Sequence, residues 1–404
     1  MQEITFADLL SQATKRDLVA FSARLREQGP LVRCSSLFGG GNAWIVTAYE
    51  DGVALLKDPR FIKDLRKGLS QQDGRENTDV MRRFLAFRRD MLTVDPPDHT
   101  RLRGLVSKAF TPRMIEQLRP RIEQIADELL RAVQAQGTMD LIADFAFPLP
   151  ITVICELLGV PVEDRQQFRS WSQAIVTGPS GPQPEQAISA LEAFIQYIKD
   201  LLADKRTRPG SDLTSGLVRV EEQGDRLSED ELISMIWLLI IAGHETTVNL
   251  IGNGMLALLQ HPQQLDLLRA DPSLLPSAVE ELLRYTAPVS LSTPRWASED
   301  IVIHGQVIHQ GEMVFVSLIA ADTDPAQFPD PSRLNIARRE NQHIAFGKGI
   351  HYCLGAPLAR LEGQIAIGML LQRFPHLRLA QDPQQLIWGP NPLLHGLSSL
   401  PVTF

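Results

Sequence analysis

Three cysteines occur in 404 residues, at positions 34, 155 and 353, and only Cys353 stands among neighbours that suggest chemistry. It closes the run Phe346-Gly347-Lys348-Gly349-Ile350-His351-Tyr352 and is followed by Leu354-Gly355. Glycines on both sides let a backbone turn sharply and approach a flat ligand closely. Past the cysteine, Leu354, Leu358, Leu361 and Ile365 recur at helical spacing, and Pro357 falls where a first turn tolerates it. Cys353 is therefore expected at the start of a helix. A free thiol titrates at about 8.5, and the partial positive charge and unpaired N–H groups of a helix start favour its anion, a soft ligand for iron. Two plainer readings are a structural cysteine and a zinc ligand shared with His351.

A second group interrupts an apolar stretch: Ala242-Gly243-His244-Glu245-Thr246-Thr247. A glycine followed by polar groups is costly inside a buried helix unless it serves a purpose. The plain alternative is that Thr246 bonds back to a carbonyl and Glu245 points to solvent. Glu281 and Arg284 form a third group, three apart on one helical face, which by itself reads as a surface ion pair. His99 and Arg103, four apart, share a face of another helix.

The elements that carry these groups are mostly helical. Thr111 and Pro112 read as N-cap and first residue of a helix whose apolar positions run from Ile115 to Val133. Residues 140–158 are apolar on all sides, and Cys155 among them reads as a small core residue. Ser228 and Glu231 form a capping box ahead of a helix reaching about Gln260, roughly 50 Å long. Glycine- and proline-rich stretches beginning at Thr177 and Arg206 mark loops. Strand signals are few: residues 43–48, 300–303 with 307–308, and 313–319. The fold class expected is mainly α with small β-sheets, as a single domain over residues 1–404.

The chain is 44% hydrophobic, with 40 basic and 48 acidic residues and a net charge of −8. It has no basic arm, so no nucleic-acid partner is expected. The first thirty residues lack a signal-peptide core, and no run approaches the ~18 apolar residues of a span, so neither secretion nor a membrane anchor is expected. An odd, low cysteine count fits a reducing, cytoplasmic setting.

The run from Phe346 to Gly355 resembles the haem-binding loop of the cytochrome P450 family, and the likeness covers nearly the whole chain. The resemblance implies the cytochrome P450 fold, with a long central helix over a haem b whose iron is ligated by Cys353. Phe346, Gly347, Gly355 and Ala242 would line the cofactor, and His99, Arg103, Arg295 and His351 would hold its propionates. Glu281 and Arg284 would be the family's buried structural pair, with Arg333 as third member. Thr246 would hydrogen-bond dioxygen and Glu245 would relay protons, while His244 faces away. One departure is Asp322-Thr323, where the family often has Asn-Arg.

The implied activity is a monooxygenase that inserts one atom of O2 into a lipophilic molecule: a macrolide or other polyketide, a steroid, a terpenoid or a fatty acid. Positions implied to contact substrate are 84–92, including Leu92, then 172–175, Leu238, Leu239, Ala242, Val289 to Leu291, and 393–394, including Leu394. No nicotinamide or flavin fingerprint is present, since the glycines at Gly39 lack a following helix and acid. Electrons from NAD(P)H would arrive through a ferredoxin and a ferredoxin reductase, with Lys108, Arg113 and Lys348 as a docking patch. Two other readings are a peroxide-driven peroxygenase and a non-catalytic haem sensor.

Overall fold

A computed structural model describes residues 4–35, 42–68, 88–108, 110–164, 166–168, 170–171, 184–222 and 227–404. Among the described residues there are ten short strands: β1 Leu31–Ser35, β2 Asn42–Val46, β3 Phe61–Ile62, β4 Thr138–Asp140, β5 Arg295–Ala297, β6 Ile301–Ile303, β7 Gln306–Ile308, β8 Met313–Val316, β9 Arg378–Leu379 and β10 Pro401–Thr403. They make a five-stranded sheet in the order β1-β2-β8-β5-β3, a three-stranded sheet β4-β10-β9 and the hairpin β6-β7. All other regular structure is helical, so the expected class, mainly α with small sheets, describes the chain.

The large sheet is buried on both faces, and strand alternation sorts its side chains. Trp44, Val46, Val314 and Val316 point into one apolar cluster, whereas Ala43, Ile45, Met313 and Phe315 point into another. A third and larger cluster lies among the helices. Helix Glu229–Gln260 runs through it, and 22 of its 32 residues are buried. Ser228 caps this helix by accepting from Glu231 N at 3.2 Å, while the Glu231 carboxylate accepts from Ser228 N at 2.9 Å. The helix is long and apolar enough by composition to cross a membrane, but two thirds of its most apolar window is buried against the protein. Core packing therefore accounts for its hydropathy.

Three local expectations change. The helix expected from Pro112 onward is two helices, Pro112–Gln117 and Arg119–Gln134. Pro120 has no N–H to continue the first, so it sits instead in the opening turn of the second. The apolar stretch 140–158 begins as the end of β4 and a π-turn, Ile142–Ala146, before helix Pro148–Leu158. Cys353 lies just ahead of its helix, Ala356–Arg373, for which Gly355 is the N-cap.

Candidate functional site

The sulfur sits on a loop that its glycines make possible. Gly347 and Gly349 hold φ of 71° and 73°, a region L side chains avoid. A Cβ on Gly349 would lie 2.5 Å from the Leu56 carbonyl oxygen, so that position admits only glycine without a shift. Cys353 N donates to Phe346 O at 2.9 Å, which closes the loop. Burial pushes the Cys353 thiol up, opposed by the Gly355 amide, the Arg103 charge, the Ala356 amide and the Arg360 charge. Four donors or cations thus already favour the anion at a site that otherwise disfavours it.

Above the sulfur is a mostly apolar cavity of about 270 Å³. Phe346, Gly347, Cys353 and Gly355 line one side of it, and Ala242, Gly243, Thr246 and Thr247 of the long helix line the other. Gly243 packs closely on Ile154, whose side chain a Cβ there would meet at 3.0 Å. His244 points away: its Nδ1 bonds the Ile240 carbonyl at 2.7 Å, and its ring meets Phe147 edge-on. Thr246 does make the back-bond of the plainer reading, donating Oγ1–H to Ala242 O at 3.0 Å. Thr246 still lines the cavity. Glu245 is half-buried and does not itself line the cavity, and burial pushes its carboxyl up to about 7.

Of the expected substrate contacts, Leu92, Leu238, Leu239, Ala242 and Val289 line the cavity, joined by Ile154, Leu283, Ser292 and Thr293. Leu291 does not line it. Strand-like alternation turns it away from Val289's side and into the sheet core with Trp296 and Phe315. Leu394 pairs with Val289 as an isolated bridge and stands behind the lining. Gly39 and residues 84–87 and 172–175 lie outside the described residues.

At one edge of the cavity the basic groups converge. The His99 and His351 rings lie 4.3 Å apart. Arg295 is buried and, among the described residues, donates to two backbone carbonyls, Phe61 O at 3.2 Å and Leu56 O at 3.4 Å. Burial lowers it to about 10, against the pull of Asp95. Arg103 lines the same edge and donates to Tyr352 O at 2.6 Å. Among the described residues, Nε2 of His351 is buried without a hydrogen-bond partner, and the buried His99 ring has at most a marginal one, the Ile350 backbone. Burial first, and then the Lys63, Arg295, His99 and Arg103 charges, hold His351 down to about 2. Buried polar groups are normally paired, so two neutral imidazoles beside two arginines that reach only backbone carbonyls among the described residues suit an anion with several acceptors. A flat macrocycle carrying two carboxylates and an iron for Cys353 fits both the cavity and this edge. The residues present therefore suit a haem.

Glu281 and Arg284, expected on sequence grounds alone to be a surface pair, are both fully buried on helix Leu275–Thr286. Arg284 donates Nε and Nη2 to the two Glu281 oxygens, each at 2.8 Å, and Nη1 to the carbonyls of Asp322 and Pro331. The third charged side chain is Arg338, not Arg333. Arg338 Nε reaches Glu281 at 3.1 Å, whereas Arg333 contributes its backbone carbonyl and leaves its side chain exposed. The reason is geometric, since the chain turns after Asp330 and brings Arg338 back over the pair. Asp322, at the departure from the family pattern, accepts Ile344 N at 2.7 Å and so ties the start of the cysteine loop to this network.

Two residues at the site carry no sequence signal. Glu362, on the helix after the cysteine, lines the cavity and is pushed by burial to about 8, with Thr247 opposing. Lys63 is buried behind Thr293.

A family model described as Cytochrome P450 matches residues 184–396. Cytochrome P450 CYP107DY1 of Priestia megaterium is 52% identical over the full length of both chains. Polyketide biosynthesis cytochrome P450 PksS of Bacillus subtilis is 48% identical over 94% of each. Among solved structures, the myxobacterial cytochrome P450 CYP267B1 in complex with myristic acid superposes with a TM-score of 0.92 at 46% identity, covering 98% of both chains.

Proposed function

The chain belongs to the cytochrome P450 family and is a haem-binding monooxygenase, and we propose that Cys353 is the thiolate ligand of its iron, with Glu245 and Thr246 delivering protons. The observation that carries this reading is the opposition, across one cavity, of a loop-borne cysteine and the polar break in the long helix. When bound, the haem supplies reductive activation of dioxygen and transfer of one oxygen atom.

The chain's own groups have separable tasks. The amides of Gly355 and Ala356, and the charges of Arg103 and Arg360, stabilise the sulfur as an anion. A Glu245 carboxyl near 7 is about half protonated at neutral pH, the condition under which an acid both holds and releases a proton well. Thr246, which lines the cavity and donates its hydroxyl hydrogen to Ala242 O, would turn that hydrogen to dioxygen and be resupplied from Glu245. Leucine, isoleucine and valine side chains around it keep the cavity dry. Arg103 and Arg295 would hold the two haem carboxylates by charge-assisted bonds, with His99 and His351 adding hydrogen bonds.

The apolar lining suits a lipophilic substrate. The names of the polyketide relative and of the myristic acid complex suit a polyketide or macrolide or a fatty acid, and that of a 46% identical vitamin D(3) 25-hydroxylase suits a steroid-like molecule. Electrons come from NAD(P)H through a ferredoxin and its reductase, docked near Lys108, Arg113 and Lys348. An odd count of three cysteines favours the reducing cytoplasm. Residues 1–404 act as one domain, a reading supported by relatives that align from end to end.

The test is incorporation of label from 18O2 into myristic acid or a macrolactone in the presence of ferredoxin, reductase and NADPH. One labelled atom per product is expected. Turnover with hydrogen peroxide alone would favour the peroxygenase, and no turnover by either route would favour the haem sensor. Thr246→Ala should keep electron consumption while diverting it to peroxide. Unchanged product yield per electron would overturn the proton-delivery assignment.

A further inference from the structure

Lys63 follows β3 and is 5% exposed. Its ammonium donates to Thr293 Oγ1 at 2.5 Å and to Pro294 O at 2.8 Å, both neutral acceptors. Among the described residues no carboxylate forms an ion pair with it. The acids within electrostatic reach are already engaged. Asp95 accepts the backbone amides of Lys63 and Asp64 at 2.8 and 3.0 Å, and Asp90 accepts Leu92 N and the Ser234 hydroxyl. Arg295 on β5 and Arg88 face Lys63 with like charge, and His351 on the cysteine loop feels Lys63 as its strongest charged neighbour. His99 and Arg103 complete the set around His351. A buried ammonium with only neutral partners and like charges around it is unstable unless an anion is added.

Thr293 stands between Lys63 and the cavity, which it lines. Because its oxygen accepts from Lys63, its own O–H must point elsewhere, and the lysine polarises it as a donor. A carboxylate at the cavity edge would take that hydrogen.

We propose that Lys63 is a further cationic anchor of the haem carboxylates, acting through the Thr293 hydroxyl. The proposal rests on the haem reading above. Without the haem, burial and the Arg295 and Arg88 charges hold Lys63 well below the ordinary lysine range, against the pull of Asp90 and Asp95. Two added carboxylates favour the charged form and raise it again. The sign follows from linkage. A group whose pKa is higher in the bound state supports binding fully below its free-state pKa, and that support is lost as pH rises through the bound-state pKa. Haem affinity should therefore fall with rising pH by an amount that belongs to Lys63. Lys63 is a positioning residue in this account, since it does not itself line the cavity.

The experiment is transfer of haem from the ferric protein to excess apomyoglobin, followed by the Soret band between neutral and alkaline pH. A charge-assisted bond lost from one carboxylate predicts loss from Lys63→Met that is ~10- to 100-fold faster at neutral pH. The wild type should approach the variant's rate as pH rises, so that the difference between them closes. Lys63→Arg, which stays charged, should keep slow loss and flatten the rise with pH. Thr293→Val should fall between wild type and Lys63→Met. Rates and slopes for Lys63→Met equal to those of wild type would overturn the proposal. If Lys63→Met does not fold, a Lys63→Arg profile as steep as wild type overturns it and a flattened one supports it. The carbon monoxide spectrum of each reduced variant separates the two levels of the argument: a thiolate-type band with unchanged haem loss sinks only the Lys63 role, whereas a missing band in the wild type sinks the haem-thiolate reading.

Discussion

Replacing Glu281 by alanine should cost the protein about 3–5 kcal/mol, the usual consequence of removing one partner of a buried ion pair. The structure gives the reason for placing it in that range. Both Glu281 and Arg284 are fully buried, and the Glu281 carboxylate accepts from Arg284 Nε and Nη2, Arg338 Nε, Asn335 N and Asn341 Nδ2. Alanine leaves Arg284 charged with three carbonyls only, and it frees residues 335–341, which lead into the cysteine loop. Unfolding entropy of ~2.1 cal/mol/K per residue over this length gives ~0.85 kcal/mol/K, so the midpoint should fall by ~4–6 °C. Circular dichroism melting of the haem-loaded protein measures the shift, and the Soret absorbance measures haem retained. The double change Glu281→Met with Arg284→Met should cost less than Glu281→Ala, because no charge is stranded on Arg284. A midpoint within about 1 °C of wild type for Glu281→Ala would show that the buried pair does not anchor this segment, and the reasoning from burial would be wrong.

Three other outcomes follow from the same geometry. Arg338→Ala should lower the melting midpoint measurably while Arg333→Ala stays within about 0.5 kcal/mol of wild type, since only the former touches Glu281 by its side chain; equal effects would contradict the assignment. Gly349→Ala should reduce haem content, because its Cβ would collide with the Leu56 carbonyl, and normal haem loading would count against the loop description. Product formed per electron should decline as pH rises through about 7, where Glu245 loses its proton; the carboxyl is the competent form below that value, so Glu245→Gln should give low coupling with no such pH dependence, and a wild-type profile flat across that range would refute the role.

Much of this site was legible in the sequence because local rules governed it. The capping box at Ser228, the glycines around Cys353 and the spacing of His99 and Arg103 each reflect chain-local geometry, and each appears in the structure as a local arrangement. What was not legible depended on distant chain segments meeting. Lys63 acquires its setting from β5 and residues 88–95, and Glu362 from the long helix. Neither has a motif of its own. Arg338 replaced Arg333 because the turn after Asp330, not the spacing, decides which arginine returns to Glu281. Leu291 was placed on the cavity by resemblance, whereas strand alternation after Val289 turns it into the sheet core. The proline that splits the helix near residue 118 was visible, but apolar periodicity continues across it and masked the break.

The central claim is that the Cys353 thiolate ligates iron opposite the Glu245–Thr246 break, and the carbon monoxide spectrum of the dithionite-reduced protein tests it most directly. The account predicts a strongly red-shifted Soret band in the wild type and its loss in Cys353→Ser with haem still present. A wild-type band at the position typical of histidine-ligated haem, or a red-shifted band that survives Cys353→Ser, would contradict it.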